Sequence, residues 1–234
     1  MDTFKRPPGM ATDFSQFQHK AFHSPRKTVS PAIFASFPPY MPLESGAMQC
    51  PFCQAPLYAS APECPACRLT YPRTSALVGA APRLTPMVSD TTRSLSASDQ
   101  ARLKRRITAI HTRFPELTME VVMHHFPEQH PFSMYVFWLF NAAAFDSEGG
   151  RGKDNHALLL AIDPARGEAA IMPGYGLEPF LNREALDHLL ELAGPSWEGG
   201  HWADGILRVL NGLDQWLETI ALPHVEAAPL SGEY

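Results

Sequence analysis

The 234 residues leave room for one domain of ordinary size and a smaller module. With 45% hydrophobic and 18% charged residues the chain is composed like a folded protein, not a solvating one. A formal charge of −5 supplies no basic field for phosphates, so no nucleic-acid partner is expected.

The 23 prolines are concentrated in the first 90 positions, which predicts a loose front and a compact back. The opening stretch has no apolar run that could form a signal-peptide core. The longest apolar stretch, Pro131 to Phe145, is interrupted by Ser133 and Asn141 and is too short to span a bilayer, so no transmembrane segment is expected. A cytoplasmic, reducing compartment is the expected location.

Residues 1–47 mix Pro, Ser, Phe and Lys without a period and read as disordered, with six Phe residues as material for a short binding motif. Residues 48–72 carry all four cysteines, and residues 73–88, with two prolines, read as a linker. Ser96 and Asp99 fit a capping box before a helix on which Leu103, Ile107 and Ile110 recur. Leu117–Met123 reads as a strand and Ser133–Phe145 as a helix apolar on most sides, hence buried. Ala157–Ile162 is a continuous apolar run, as in a strand covered on both faces. A turn follows at Asp163–Gly167, and Glu168–Met172 returns as a further strand. Asn182 can cap a helix bearing Leu186, Leu189 and Leu190, and a last helix from about Ala203 to Ile220 aligns Ile206, Leu210, Leu213 and Leu217. The expected fold is α/β: a mixed β-sheet between helical layers (an α-β-α sandwich) over residues 89–222, preceded by a small zinc ribbon and followed by a flexible tail, 223–234.

The cysteines read Cys50-Pro51-Phe52-Cys53 and, ten residues later, Cys64-Pro65-Ala66-Cys67. Two such knuckles offer four thiolates, the donor set of tetrahedral structural Zn²⁺. So short a segment cannot bury enough apolar surface to fold unaided, and the metal would supply its folding free energy. Four filled positions make the site closed and not catalytic. Chelation is expected to unfold residues 48–72 and leave the larger domain standing. The Cys67–Arg73 spacing matches a phosphatase loop by chance, since it lacks the glycines that would cradle a phosphate.

If Asp163 pairs with Glu168 across the turn, Asn155 falls opposite Gly176 and Asp154 opposite Leu177. The loops Arg151-Gly152-Lys153-Asp154-Asn155 and Gly174-Tyr175-Gly176-Leu177-Glu178 then lie at one end of the sheet, with Tyr175 between two permissive glycines. With Val88-Ser89-Asp90, Leu95-Ser96, Leu139-Phe140 and the segment Gly200-His201-Trp202-Ala203-Asp204-Gly205-Ile206, these motifs make residues 87–220 resemble the TPM domain family, also labelled TPM_phosphatase. The family loop usually carries a second acidic residue where Asn155 stands here, so the site has one charge fewer.

The resemblance implies an acidic site for a divalent cation, Ca²⁺ or Mg²⁺, drawn from Asp90, Asp154, Asn155, Glu178 and Asp204, with Gly174, Tyr175 and Gly176 as its loop motif. Against it, Asp154 can pair with Lys153 or Arg151, and Asp204 can simply favour its helix N-terminus. His124, His125, His130, His156 and His201 lack the spacing of a second zinc site, and the four tryptophans are expected in the core or at its edge. Two functions follow: a protein-interaction module with an unidentified protein partner, or a metal-dependent phosphatase-like hydrolase using the acidic loops. The closed ribbon and the missing carboxylate favour the first.

Overall fold

The computed structural model describes residues 20–21, 48–57, 61–142, 156–177 and 180–221. In chain order these form β1 (Lys20–Ala21), β2 (Met48–Gln49), β3 (Pro56–Leu57), α1 (Tyr71–Val78), β4 (Val88–Asp90), α2 (Ala97–Arg113), β5 (Thr118–Met123), α3 (Phe132–Ala142), β6 (Ala157–Asp163), β7 (Glu168–Pro173), a 3₁₀ turn (Tyr175–Leu177), α4 (Arg183–Glu198) and α5 (Trp202–Ala221). The main sheet runs β1-β7-β6-β5-β4. Strands β4, β5 and β6 are parallel, and β7 turns back antiparallel to β6 with Asp163 opposite Glu168, the expected register. The sheet is mixed, as its sequence pattern implies. The two-residue β1, inside a segment expected to be disordered, adds to the outer edge of β7.

Alternation along the strands divides the core into two layers. Val121, Leu160 and Ile171 line up across the sheet and face α2, α4 and α5. Val122, Ala161 and Ala170 face the other way, towards α3. Strand β6 is buried at every position, which accounts for its unbroken apolar run. Helix α2 opens on the predicted capping box, with Ser96 Oγ accepting from the Asp99 amide at 3.1 Å. Asn182 caps α4 by accepting from the Ala185 amide at 2.9 Å. Trp138 and Trp197 are buried, while Trp202 and Trp216 pack at the core's edge.

Two elements differ from the sequence expectation. Helix α1 starts at the end of the stretch read as the ribbon and takes up the first residues of the stretch read as a linker; it is capped by Thr70 and has Pro72 in its first turn, where a missing N–H costs nothing. Its Tyr71 and Val78, followed by Ala81 and Leu84, pack into the α3 layer. The ribbon's Cys50, Leu57, Cys64 and Leu69 belong to that layer too. Helix α3 is therefore enclosed between the sheet on one side and the ribbon with α1 on the other, which is why Phe132 to Asn141 are all buried.

Gly205, in the first turns of α5, lies directly on the Trp197 ring, and an added Cβ would overlap it. That ring is buried and tethered by its Nε1–H to the Trp202 carbonyl at 3.2 Å, so it cannot swing aside. Gly205→Ala is expected to lower stability by about 2 kcal/mol despite alanine's better helix propensity, read from the urea midpoint.

Candidate metal centre

The two cysteine knuckles fold alike. Cys50 N–H donates to the Ala55 carbonyl at 2.9 Å and Gln54 N–H to the Cys50 carbonyl at 2.9 Å. Fourteen residues on, Cys64 N–H donates to the Leu69 carbonyl at 3.0 Å and Arg68 N–H to the Cys64 carbonyl at 2.8 Å. Gln54 and Arg68 take the same left-handed conformation, φ 60° and 59°. Strands β2 and β3 pair across the first knuckle. These turns converge all four Sγ atoms within 4.8 Å of one another, with Cys50 3.6 Å from Cys67 and Cys53 3.7 Å from Cys64.

Sulfurs at the corners of a tetrahedral Zn²⁺ site stand about 3.8 Å apart, so the donor set fits zinc in both chemistry and spacing. Burial pushes the Cys50 thiol up, while the Cys53 and Phe52 amides pull the other way. Burial also raises Cys64, but the Cys67 and Ala66 amides and the neighbouring thiols outweigh it and bring that thiol down to about 7. Each knuckle thus turns backbone N–H groups towards sulfur, the arrangement that favours bound thiolates. With four protein donors no position stays open for substrate. Arg73, whose distance from Cys67 mimics a phosphatase loop, donates its guanidinium to the Cys67 carbonyl at 3.1 Å and so braces the second knuckle.

The ribbon is fixed to the larger domain by specific contacts. Ser133 Oγ–H donates to the Pro51 carbonyl at 2.6 Å in a buried setting. The rings of Phe52 and His130 meet at 6.0 Å, and those of Tyr71 and Phe137 at 6.3 Å. In the sequence Ser133 reads only as an interruption of an apolar run, yet it is the polar anchor of the ribbon.

The acidic candidates do not form one cluster among the described residues. Asp90 ends β4 opposite Met123 of β5, whereas Gly174 donates its N–H to the Ala157 carbonyl at 2.7 Å, level with the start of β5. Five residues of strand, about 16 Å, separate the two ends. Both Asp90 oxygens are already engaged. Oδ1 accepts from the Thr92 amide and hydroxyl, and Oδ2 accepts from the Leu95 amide at 2.8 Å. Asp204 accepts from Arg102 of α2 at 2.7 Å, on the Asp90 side, and is exposed. Gly174 and Gly176 stand at the opposite end, with the backbone of Tyr175 in the 3₁₀ turn. Asp154, Asn155 and Glu178 lie outside the described residues.

Of the histidines, His124 meets Thr91 Oγ1 at 2.7 Å and His125 meets Asp163 at 3.3 Å. Burial lowers the His124 pKa and favours its neutral ring, with nearby Asp163 opposing. The buried His111 accepts from the Met119 amide at 3.2 Å. No further group of three or more potential ligands converges among the described residues.

One carboxylate that sequence reading passes over is Glu120, on β5 and facing the α3 layer. Its Oε2 is buried without a hydrogen-bond partner among the described residues. Burial raises its pKa to about 7, with the Met87 amide and Lys104 pulling only partly back. Between about pH 4.5 and 7 the folded chain therefore holds a proton that the unfolded chain has released, and stability falls as pH rises through this window. Glu120→Gln should leave stability unchanged at pH 4 and raise it by about 2 kcal/mol at pH 8, allowing for the part of the group that water reaches. Parallel denaturation curves at the two pH values check this.

A family model described as the TPM domain matches residues 88–216, more than half of the chain. Among solved structures, the solution NMR structure of the N-terminal domain of a protein from P. gingivalis is similar, with 21% identity and a TM-score of 0.48. The likeness covers 57% of this chain and 82% of that one. Comparison with curated proteins yields no match. No helix among the described residues is long and apolar enough to cross a membrane.

Proposed function

The chain belongs to the TPM domain family, and from that premise we propose that it acts as a protein-interaction module whose docked zinc ribbon forms part of the contact surface. Phe52 carries this reading. It sits between two metal-ligating positions, keeps 37% of its surface exposed, and rests against His130 of the larger domain. An exposed apolar side chain at a junction of two units is suited to anchor a protein partner. Leu77 on the neighbouring α1 is 49% exposed. The four thiolates suit a reducing compartment such as the cytoplasm.

In the same reading a Ca²⁺ or Mg²⁺ ion would be held at the Gly174 end by Asp154, Asn155 and Glu178, hard oxygen donors whose grouping is supported by the register that sets Ala157 beside Gly174. Asp90 and Asp204 stand at the other end and would take no part. Calorimetric titration of the full chain with Ca²⁺ should show binding reduced at least tenfold by Asp154→Ala and unchanged by Asp204→Ala. Loss with Asp204→Ala instead would break this assignment.

Phosphate release from an aryl phosphate, measured on the full chain with Mg²⁺ or Ca²⁺, tests the functional reading itself. An interaction module releases no more phosphate than its Asp154→Ala variant. Turnover that disappears in the variant would replace the module with a hydrolase.

A further inference from the structure

We propose that the four-cysteine centre is also a hydroperoxide-reactive site, with Cys53 as the attacking thiolate and Cys64 as its resolving partner, whose oxidation releases the ribbon's hold on α3. The inference rests on zinc being the resident metal. Of the four ligands Cys50 and Cys64 are buried, Cys67 is half-buried and Cys53 is exposed, so a small oxidant reaches Cys53 first. Cys64 Sγ lies 3.7 Å from Cys53 Sγ, close enough for the second step without unfolding the knuckles.

The chemistry balances with a hydroperoxide as the two-electron oxidant. The Cys53 thiolate attacks the peroxide oxygen, the O–O bond breaks, and a sulfenic acid and one hydroxide result. The Cys64 thiolate then attacks the sulfenic sulfur, forms the disulfide and expels a second hydroxide. Two of four donors are thereby lost, and Zn²⁺ departs. The consequence reaches beyond the ribbon because Cys50, Cys64 and Leu57 lie in one apolar layer with α3, and Ser133 holds the Pro51 carbonyl. Losing the metal uncovers α3 residues that are otherwise fully buried.

The test uses the zinc-loaded full chain and hydrogen peroxide, with a chromogenic indicator for free Zn²⁺, a sulfenic-acid trap mapped by mass spectrometry, and a dye that fluoresces on apolar surface. Expected are one zinc released per chain, the trap on Cys53, a Cys53–Cys64 disulfide when no trap is present, and a rise in dye signal that a thiol reductant plus zinc reverses. Cys53→His, which keeps a fourth zinc donor but removes the nucleophile, should slow release at least tenfold. Trapping first at another cysteine, or zinc release without a dye signal, would overturn the proposal while leaving the zinc centre intact. A purified chain holding no zinc would overturn both.

Discussion

Removing the metal should do more than unfold the ribbon. Stripping zinc from the full chain with a strong chelator is expected to raise apolar-dye fluorescence and lower the urea midpoint of the larger domain, with most helical signal retained. Two energies are lost together. A structural zinc site contributes on the order of 10 kcal/mol to the fold that holds it, and residues 48–72 have no other means of staying folded. The second loss belongs to α3, which has the sheet beneath it and the ribbon with α1 above it. Exposing even two of its large side chains costs about 3–6 kcal/mol. The other layer, where α2, α4 and α5 cover the sheet, has no ribbon residue in its core among the described residues and should persist. Cys64→Ala should reproduce the chelated state without chelator, and Ser133→Ala should give a weaker version, losing the Pro51 contact while keeping zinc. A larger domain as stable without zinc as with it would show that the docking contacts contribute nothing.

That coupling departs from the sequence expectation, in which chelation spares the larger domain, and the reason is physical. Local patterns report on residues near one another in the chain. The capping box at Ser96, the stripe on α5 and the turn after Asp163 are all patterns of this kind, and all are found where expected. The two knuckles are equally local and converge on one metal-sized space. An all-round apolar helix such as α3 announces only that it is buried, not what buries it. Its cover could be recognised only through Ser133, a polar group that must find a partner, and that partner lies 82 residues away. Helix α1 is hidden because Pro82 and Pro86, just beyond it, make residues 73–88 read as a linker, while Thr70, which caps it, lies in front of that range.

Among the described residues, Asp90 stands apart from the Gly174 loop for a related reason. Val88–Asp90 is too short to declare itself a strand, and only its parallel pairing with β5 places Asp90 at the far end from Gly174. The antiparallel hairpin, by contrast, fixes its own register through a short turn, so the pairing of β6 with β7 could be read directly.

Asp163 should prove the most sensitive single position outside the ribbon. In the sequence it is a turn residue before a proline, yet the carboxylate is fully buried and each oxygen is used. Oδ2 accepts from the Phe126 amide at 2.8 Å, and Oδ1 from the Ala165 amide at 3.0 Å and the Arg166 amide at 3.3 Å. It therefore closes the β6–β7 turn and fastens the segment between β5 and α3 to that turn. Arg166 adds to the same joint by donating to the Pro127 and His130 carbonyls at 3.0 and 3.1 Å. Asp163→Ala leaves buried amides without acceptors and should cost about 3–5 kcal/mol, enough to lower the urea midpoint sharply. Asp163→Asn keeps one carbonyl acceptor and should fall between the two. The position of the damage is as telling as its size. His130, held by Arg166, is the residue against which Phe52 packs, so loosening the joint should also loosen the ribbon. Limited proteolysis of Asp163→Ala should then cut within residues 124–131, and zinc should leave faster than from the parent chain. If the variant loses stability while releasing zinc at the parent's rate, the ribbon is held by Ser133 and Tyr71 alone, and the path from the β6–β7 turn to Phe52 carries no load.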